Sequence, residues 1–400
     1  MSLDFRSTLL QSIQAVPSIS ILLGIFVVIQ LITAPISGEI TEPIQRLIVA
    51  QTSWTAVFFI SVYAFLVPGQ IRRWALILWA MAVFVSLISI VEFRVGHLLW
   101  RDHIPSFLKV PDLSVQRILA DSARAGTTRY RAKATFSSPL GLAEYIALTI
   151  PFVLHFTTAR FPGRIRIAAA SSIPILLYGD YLTDAKLGSI GALFGILAYV
   201  FIAAYQNWRR NKSSLVAASA LFAYPFGLGL LGVMMLASHR FSVIIFGNDG
   251  SHANSTQARI DQYTIGFQKL IEWPFGYGIG QSGPVLGFGA DGGMTTVDTY
   301  YLTVLIEYGV LGFIAYYGMF AIAIYEAGRR SLSVTANKDR SFLLPLTVSL
   351  ATFIIIKSVF SQQDTHPLMF MMLGAVVALI SSYRKVPEVG KIQRRSLSRR

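Results

Sequence analysis

Three short stretches of this chain hold residues that can do chemistry. The first is Arg129-Tyr130-Arg131-Ala132-Lys133, with three cations at alternate positions. In an extended segment side chains repeat every two residues, so Arg129, Arg131 and Lys133 would share one face. Such a row suits a diphosphate or an acidic sugar, and it equally suits snorkelling to lipid phosphates beside a membrane helix. The second is Pro274-Phe275-Gly276-Tyr277-Gly278-Ile279-Gly280. Gly278 and Gly280 can bring backbone N–H groups to a phosphate, or they mark a plain turn. The third is Val297-Asp298-Thr299-Tyr300-Tyr301-Leu302, with Glu307 about two turns further along the same apolar run. Asp298 is either a working carboxylate or a helix N-cap. An ionisable group inside an apolar run is a functional candidate by default, and Glu307 has the alternative of pairing with a cation such as Lys357. Lys186, in Leu182-Thr183-Asp184-Ala185-Lys186, and His366, in Asp364-Thr365-His366-Pro367, complete the candidates. There is no cysteine, which excludes disulfides, thiol catalysis and zinc–thiolate sites. No metal and no cofactor is expected.

The elements that must carry these residues are membrane helices. The chain has 400 residues, 54% of them hydrophobic and only 14% charged, where soluble domains carry about 25% charged residues. A helix needs about 20 apolar residues to cross the hydrocarbon. Ten stretches qualify: about 18–36, 50–68, 73–93, 140–158, 165–181, 187–206, 214–236, 299–325, 341–360 and 367–383. Ser137 or Ser138 with Pro139 makes a plausible start for the fourth. The run from Ser18 to Ile36 is long enough to span and lacks a clear cleavage site, so it is expected to be the first span and not a signal peptide.

Charge orients the spans. Every second connection is basic, at Arg72-Arg73, at Arg160, Arg164 and Arg166, at Arg209-Arg210 and Lys212, and at Arg329-Arg330, Lys338 and Arg340. The tail Arg394-Arg395-Ser396-Leu397-Ser398-Arg399-Arg400 falls on the same side, suited to anionic lipid. The positive-inside rule then places both termini in the cytoplasm. The net charge of +14 is accounted for by these flanks, and nucleic acid is not expected as a partner. Two long loops, about 94–139 and 237–298, fall outside. The first holds eight Lys and Arg against Asp102, Asp112 and Asp121; it is either a solvated surface or an attractor of anionic substrate. Within the second, Thr256 to Glu272 has helical spacing, with Ile260, Tyr263, Phe267 and Leu270 as an apolar stripe. Arg259 and Gln262 lie on its other sides.

Three segments together resemble a family, the O-antigen ligase and polymerase superfamily of bacterial surface-polysaccharide assembly. Arg131 to Pro151 is similar to its basic, Phe, Pro and Tyr-containing start of a membrane helix. Arg259 to Gly280 looks like its Arg–helix–Pro–x–x–Gly–x–Gly segment. Asp298 to Gly312 looks like its helix with a late Glu or Arg before Gly–x–x–Gly. The resemblance covers about residues 125–325, and it divides the chain into N-terminal helices and first outer loop (1–125), a ligase/polymerase-like core (126–325), C-terminal helices (326–383) and a basic cytoplasmic tail (384–400).

The resemblance implies an all-α, GT-C-like polytopic bundle in the bacterial inner membrane, acting as a metal-independent glycosyltransferase. Its donor would be a glycan on undecaprenyl diphosphate and its acceptor a glycan hydroxyl. Membrane lipids would surround it, with chain-length regulators or export proteins as further partners. Arg259 and Asp298 would be catalytic. Lys186 stands where the family often has Ser-Arg, and would bind substrate with Arg129, Arg131, Lys133, Gly278, Gly280 and Glu307. Ligases typically have a His-Asn pair where this chain has Asp298-Thr299, which favours a polymerase. The alternatives are a ligase attaching glycan to lipid A–core and, from another class, a transporter or flippase of a lipid-linked or anionic substrate. No internal repeat supports the transporter. A lipid-linked donor requires a cavity open sideways, expected among the fourth, sixth and eighth spans and the loop 237–298.

Overall fold

The computed structural model describes residues 3–37, 41–105, 113–120, 129–215, 217–224, 250–287, 289–290, 294–295, 297–332 and 338–384. The helices with bounds are α1 (Leu3–Ile13), α2 (Pro17–Thr33), α3 (Thr41–Ala50), α4 (Ala56–Ala64), α5 (Gln70–Val95), α6 (Leu113–Leu119) and α7 (Pro139–Thr158). They continue with α8 (Gly163–Leu182), α9 (Lys186–Arg210), α10 (Gly250–Glu272), α11 (Ser282–Leu286), α12 (Tyr300–Ser331), α13 (Leu343–Lys357) and α14 (His366–Arg384). Among the described residues the extended structure is one small antiparallel ladder, β1 (Gly289–Ala290) with β2 (Met294–Thr295).

Seven of the described helices are long and apolar enough to cross a membrane: Pro17–Ile36, Thr41–Ala64, α5, α7, α9, α12 and Arg340–Lys357. Ten were expected. α8 falls short because Arg164, Arg166 and Asp180 interrupt its apolar run, and His366–Ser382 is a shorter apolar helix. The stretch 214–236 lies mostly outside the described residues, as do parts of both long loops and the tail beyond 384. The second span begins earlier than expected, at Thr41, where Glu42 and Arg46 pair along the first turns at 2.6 Å. It runs through five residues of π-helix, Gln51–Thr55, into α4.

Helix ends sort into two sets, as alternating spans require. Arg131 meets Thr183, Ser137 meets Asp364 and Thr365 meets Glu144 at the end expected to be outer. Gly69 meets Asp339, His155 meets Ser341 and Gln206 meets Ser331 at the other. α7 starts as expected: Ser138 accepts from the Gly141 N–H and Pro139 fills the first turn. In lipid, helices associate through close packing, so small residues mark the contacts. A Cβ on Gly188 of α9 would sit 2.4 Å from the Ala143 Cβ of α7, and one on Gly191 would sit 2.5 Å from Ile356 of α13.

α7 and α9, the fourth and sixth expected spans, pack closely where Gly188 meets Ala143. Among the described residues two apolar grooves open between α2 and the eighth expected span, α12. The larger, about 580 Å³, is lined by Ile21, Gly24, Val28, Leu311 and Ile314. The smaller, about 180 Å³, carries the same face outward past Ile32 and Tyr308 to Pro274 and Phe275.

Candidate active site at one end of the bundle

α10 grips the start of α12 with one face. Arg259, Gln262 and Tyr263 stand at i, i+3 and i+4, which are neighbours on a helix. Arg259 Nε lies 3.6 Å from Asp298 Oδ2. The Asp298 backbone N–H donates to Gln262 Oε1 at 3.0 Å. The Tyr263 and Thr299 hydroxyls share a hydrogen bond of 3.1 Å. One turn on, a Cβ on Gly266 would lie 2.5 Å from Leu302. The packing face is therefore Gln262, Tyr263 and Gly266, which shares Tyr263 with the expected stripe, while Ile260 and Phe267 of that stripe are 53% and 52% exposed. Hydrogen bonds to residues 298–299 choose the face here.

The two residues expected to be catalytic thus meet. Their side chains are 34% and 35% exposed, so the pair is open to a ligand. Arg259 Nε has no hydrogen bond. Exposed pairs contribute only about 0.2–1 kcal/mol, so a phosphate can draw the guanidinium away. Asp298 is not the helix cap: Thr299 is, its hydroxyl accepting from the Leu302 N–H. Among the described residues the Asp298 carboxylate faces Arg259.

The cation row does not form one face. Arg129 lies over the Tyr181 and Phe93 rings, at 4.9 and 5.9 Å. Arg131 Nε donates to the Thr183 carbonyl at 2.9 Å. Lys133 is 1% exposed, and its ammonium donates to the Ile118 and Ala120 carbonyls at 2.5 and 2.8 Å. The organiser is Glu92, in the last turn of α5, which accepts from the Tyr130 hydroxyl at 2.6 Å and from the Lys133 and Ala134 N–H groups. Ala134 adopts φ 48, so the chain turns directly after the row. An acid closing a membrane span ahead of a basic loop was the available signal for Glu92. Lys186 opens α9 with its side chain exposed, makes no ion pair among the described residues, and shares the corner that Arg131 touches.

The glycine stretch is a plug and not a phosphate cradle. α12 breaks at Gly309, which adopts φ 67. Tyr277 and Gly278 donate to the Ile306 and Glu307 carbonyls, freed by the break, at 2.8 and 3.0 Å, and Val310 donates to the Pro274 carbonyl at 3.1 Å. Gly280 donates to the Glu307 carboxylate, and Ser282 Oγ donates to it at 2.8 Å. Glu307 is 4% exposed. Its partner is not Lys357. Lys357 pairs with Glu144 of α7 at 2.9 Å, both side chains fully buried, and Thr365 donates to the same carboxylate at 2.7 Å. His366 is fully buried and stacks on Trp54, at 5.2 Å and 26°, away from the surface. Burial raises the Tyr277 phenol above its ordinary value, aided by Glu272.

Among the described residues no group of three His, Cys, Asp or Glu could hold a metal ion. The chemistry within reach is anion binding by Arg259 and proton acceptance by Asp298. Residues 169–317 match the family model described as O-antigen ligase. No curated protein matches the chain. The match spans less than half of the chain, and over that stretch the chain is similar to the O-antigen ligase family. It takes in Lys186, Arg259, Asp298 and Glu307.

Proposed function

We propose, from this likeness to the O-antigen ligase family, that the chain polymerises glycan repeat units carried on undecaprenyl diphosphate at the outer face of the bacterial inner membrane. The acceptor hydroxyl attacks the anomeric carbon of the donor sugar. The bond from that carbon to the diphosphate oxygen breaks, and the lipid diphosphate leaves with the electron pair. Arg259, helped by Lys186, neutralises the leaving group, and Asp298 takes the hydroxyl proton. The observation that carries this reading is the half-open Arg259–Asp298 pair, which a donor diphosphate parts into an anion clamp and a free base.

The test is Asp298→Asn in vesicles loaded with lipid-linked repeat units. Loss of the base should cost about 100-fold or more in chain growth. Arg259→Ala should cost about 30- to 1000-fold, as about 2–4 kcal/mol of transition-state stabilisation is lost. Thr299→Ala is the comparison: it removes the actual cap, about 1 kcal/mol of stability, and the bond to Tyr263 but no base, and should cost far less of the rate than Asp298→Asn. Wild-type chain growth by Asp298→Asn would sink the assignment. The description of the matching family favours a second reading, a ligase; transfer of preformed chains to a lipid A–core acceptor without growth would establish it.

A further inference from the structure

We infer that Glu307 is a positioning residue whose carboxylate locks the outer segment 274–286 into the break of α12 and so holds Arg259 against Asp298; the catalytic consequence rests on the reading above. A carboxylate buried in a membrane helix is unfavourable unless its oxygens are bonded. Most of its partners here come from outside α12. Ser282 of α11 and the Gly280 N–H bond the carboxylate, Tyr308 beside the break adds a bond from α12, and Arg46 of α3 is near enough to attract it. The backbone bonds of Tyr277, Gly278 and Val310 close the same joint.

The fit leaves no slack. A Cβ on Gly276 would lie 2.6 Å from the Glu307 carbonyl, one on Gly278 would lie 2.7 Å from the Thr33 carbonyl of α2, and one on Gly309 would lie 2.2 Å from the Pro274 carbonyl. The plug therefore touches the bundle at α2, α3 and α12. The chain that leaves it toward the N-terminus is α10, which carries Arg259. The chain that leaves α12 toward the N-terminus carries Asp298. Glu307 thus sits where the two arms bearing the reacting pair are joined, itself out of reach of a substrate.

The chain has no cysteine, so spin labels can be placed at will. Cysteines at Gln268 on α10 and Gln363 before α14 are both exposed and outside the joint. The distance between them should be narrowly distributed in the parent protein. Glu307→Gln keeps an acceptor for Ser282 and the Gly280 N–H, and should keep a narrow distribution and most of the chain growth. Glu307→Ala should broaden it and cut growth at least about tenfold, with donor KM changed less than kcat. Ser282→Ala removes one bond only and should broaden it less, which covers the case where Glu307→Ala does not fold. A narrow distribution in both Glu307→Ala and Ser282→Ala overturns the inference, whatever the activity. A broadened distribution with unchanged chain growth supports the joint while overturning the proposed active site.

Discussion

The Glu144–Lys357 pair allows a prediction worked from its geometry. At 2.9 Å with both side chains fully buried, the attraction is on the order of 6 kcal/mol at an effective dielectric near 20. Desolvation consumes most of that, so the pair itself stabilises little. Removing one partner is different. In Lys357→Met the carboxylate keeps only the Thr365 hydroxyl. In Glu144→Leu the ammonium keeps the Gln362 carbonyl and the faces of Tyr300 and Phe353. Each single variant should lose about 3–5 kcal/mol, the orphan limiting the loss by changing its protonation. The double variant Glu144→Leu/Lys357→Met should recover to within about 1 kcal/mol of the parent. The assay is thermal unfolding of the detergent-purified protein, with single variants melting several degrees lower. Single variants within about 1 kcal/mol of the parent, or a double variant as unstable as the worse single, would refute the pairing.

Two further outcomes follow from the described geometry. Lys133→Met should lower the melting temperature by removing bonds worth about 1–3 kcal/mol to the 118–120 carbonyls, while leaving donor KM unchanged; a raised KM with intact stability would return Lys133 to the substrate. Fusions of a reporter active only outside the cytoplasm should be active at about 115 and 250 and silent at about 210, 335 and 395, as charge predicts; activity at 395 would reverse the orientation of the tail.

The helices were legible because long apolar runs have few other uses. Their bounds shifted where polar contacts intervened, as at Thr41, whose first turns hold the Glu42–Arg46 pair. α1 went unread because its eleven residues are too few and too polar to suggest a span. Arg259 and Asp298 were legible as a pair only through an ordered set of motifs, since neither has local spacing to the other. Depth along a helix misled the assignment of Lys357: it is apolar-run neighbour to Glu307 in sequence pattern, but α13 packs on α7 as well as α12, and Glu144 is the acid that faces it. The glycines misled for a related reason. Freed N–H groups point to an anion, and a broken membrane helix supplies carbonyls that use them first.

These internal claims on polar groups narrow where a diphosphate can bind. Lys133 is held by two carbonyls, Lys357 by Glu144, and Arg131 by the Thr183 carbonyl. The N–H groups of Tyr277, Gly278 and Gly280 are spent on α12. Among the described residues, Lys186 stands exposed at the start of α9, where the helix dipole adds positive potential, and the one-third-exposed Arg259 side chain faces Asp298. Under the proposed function, recognition of a lipid diphosphate therefore falls to side-chain charges and not to a rigid backbone nest. Lys186→Arg should then work, because charge matters there more than fixed geometry. Alanine at Gly278 should act through the plug, broadening the position of α10 before it alters affinity for phosphate.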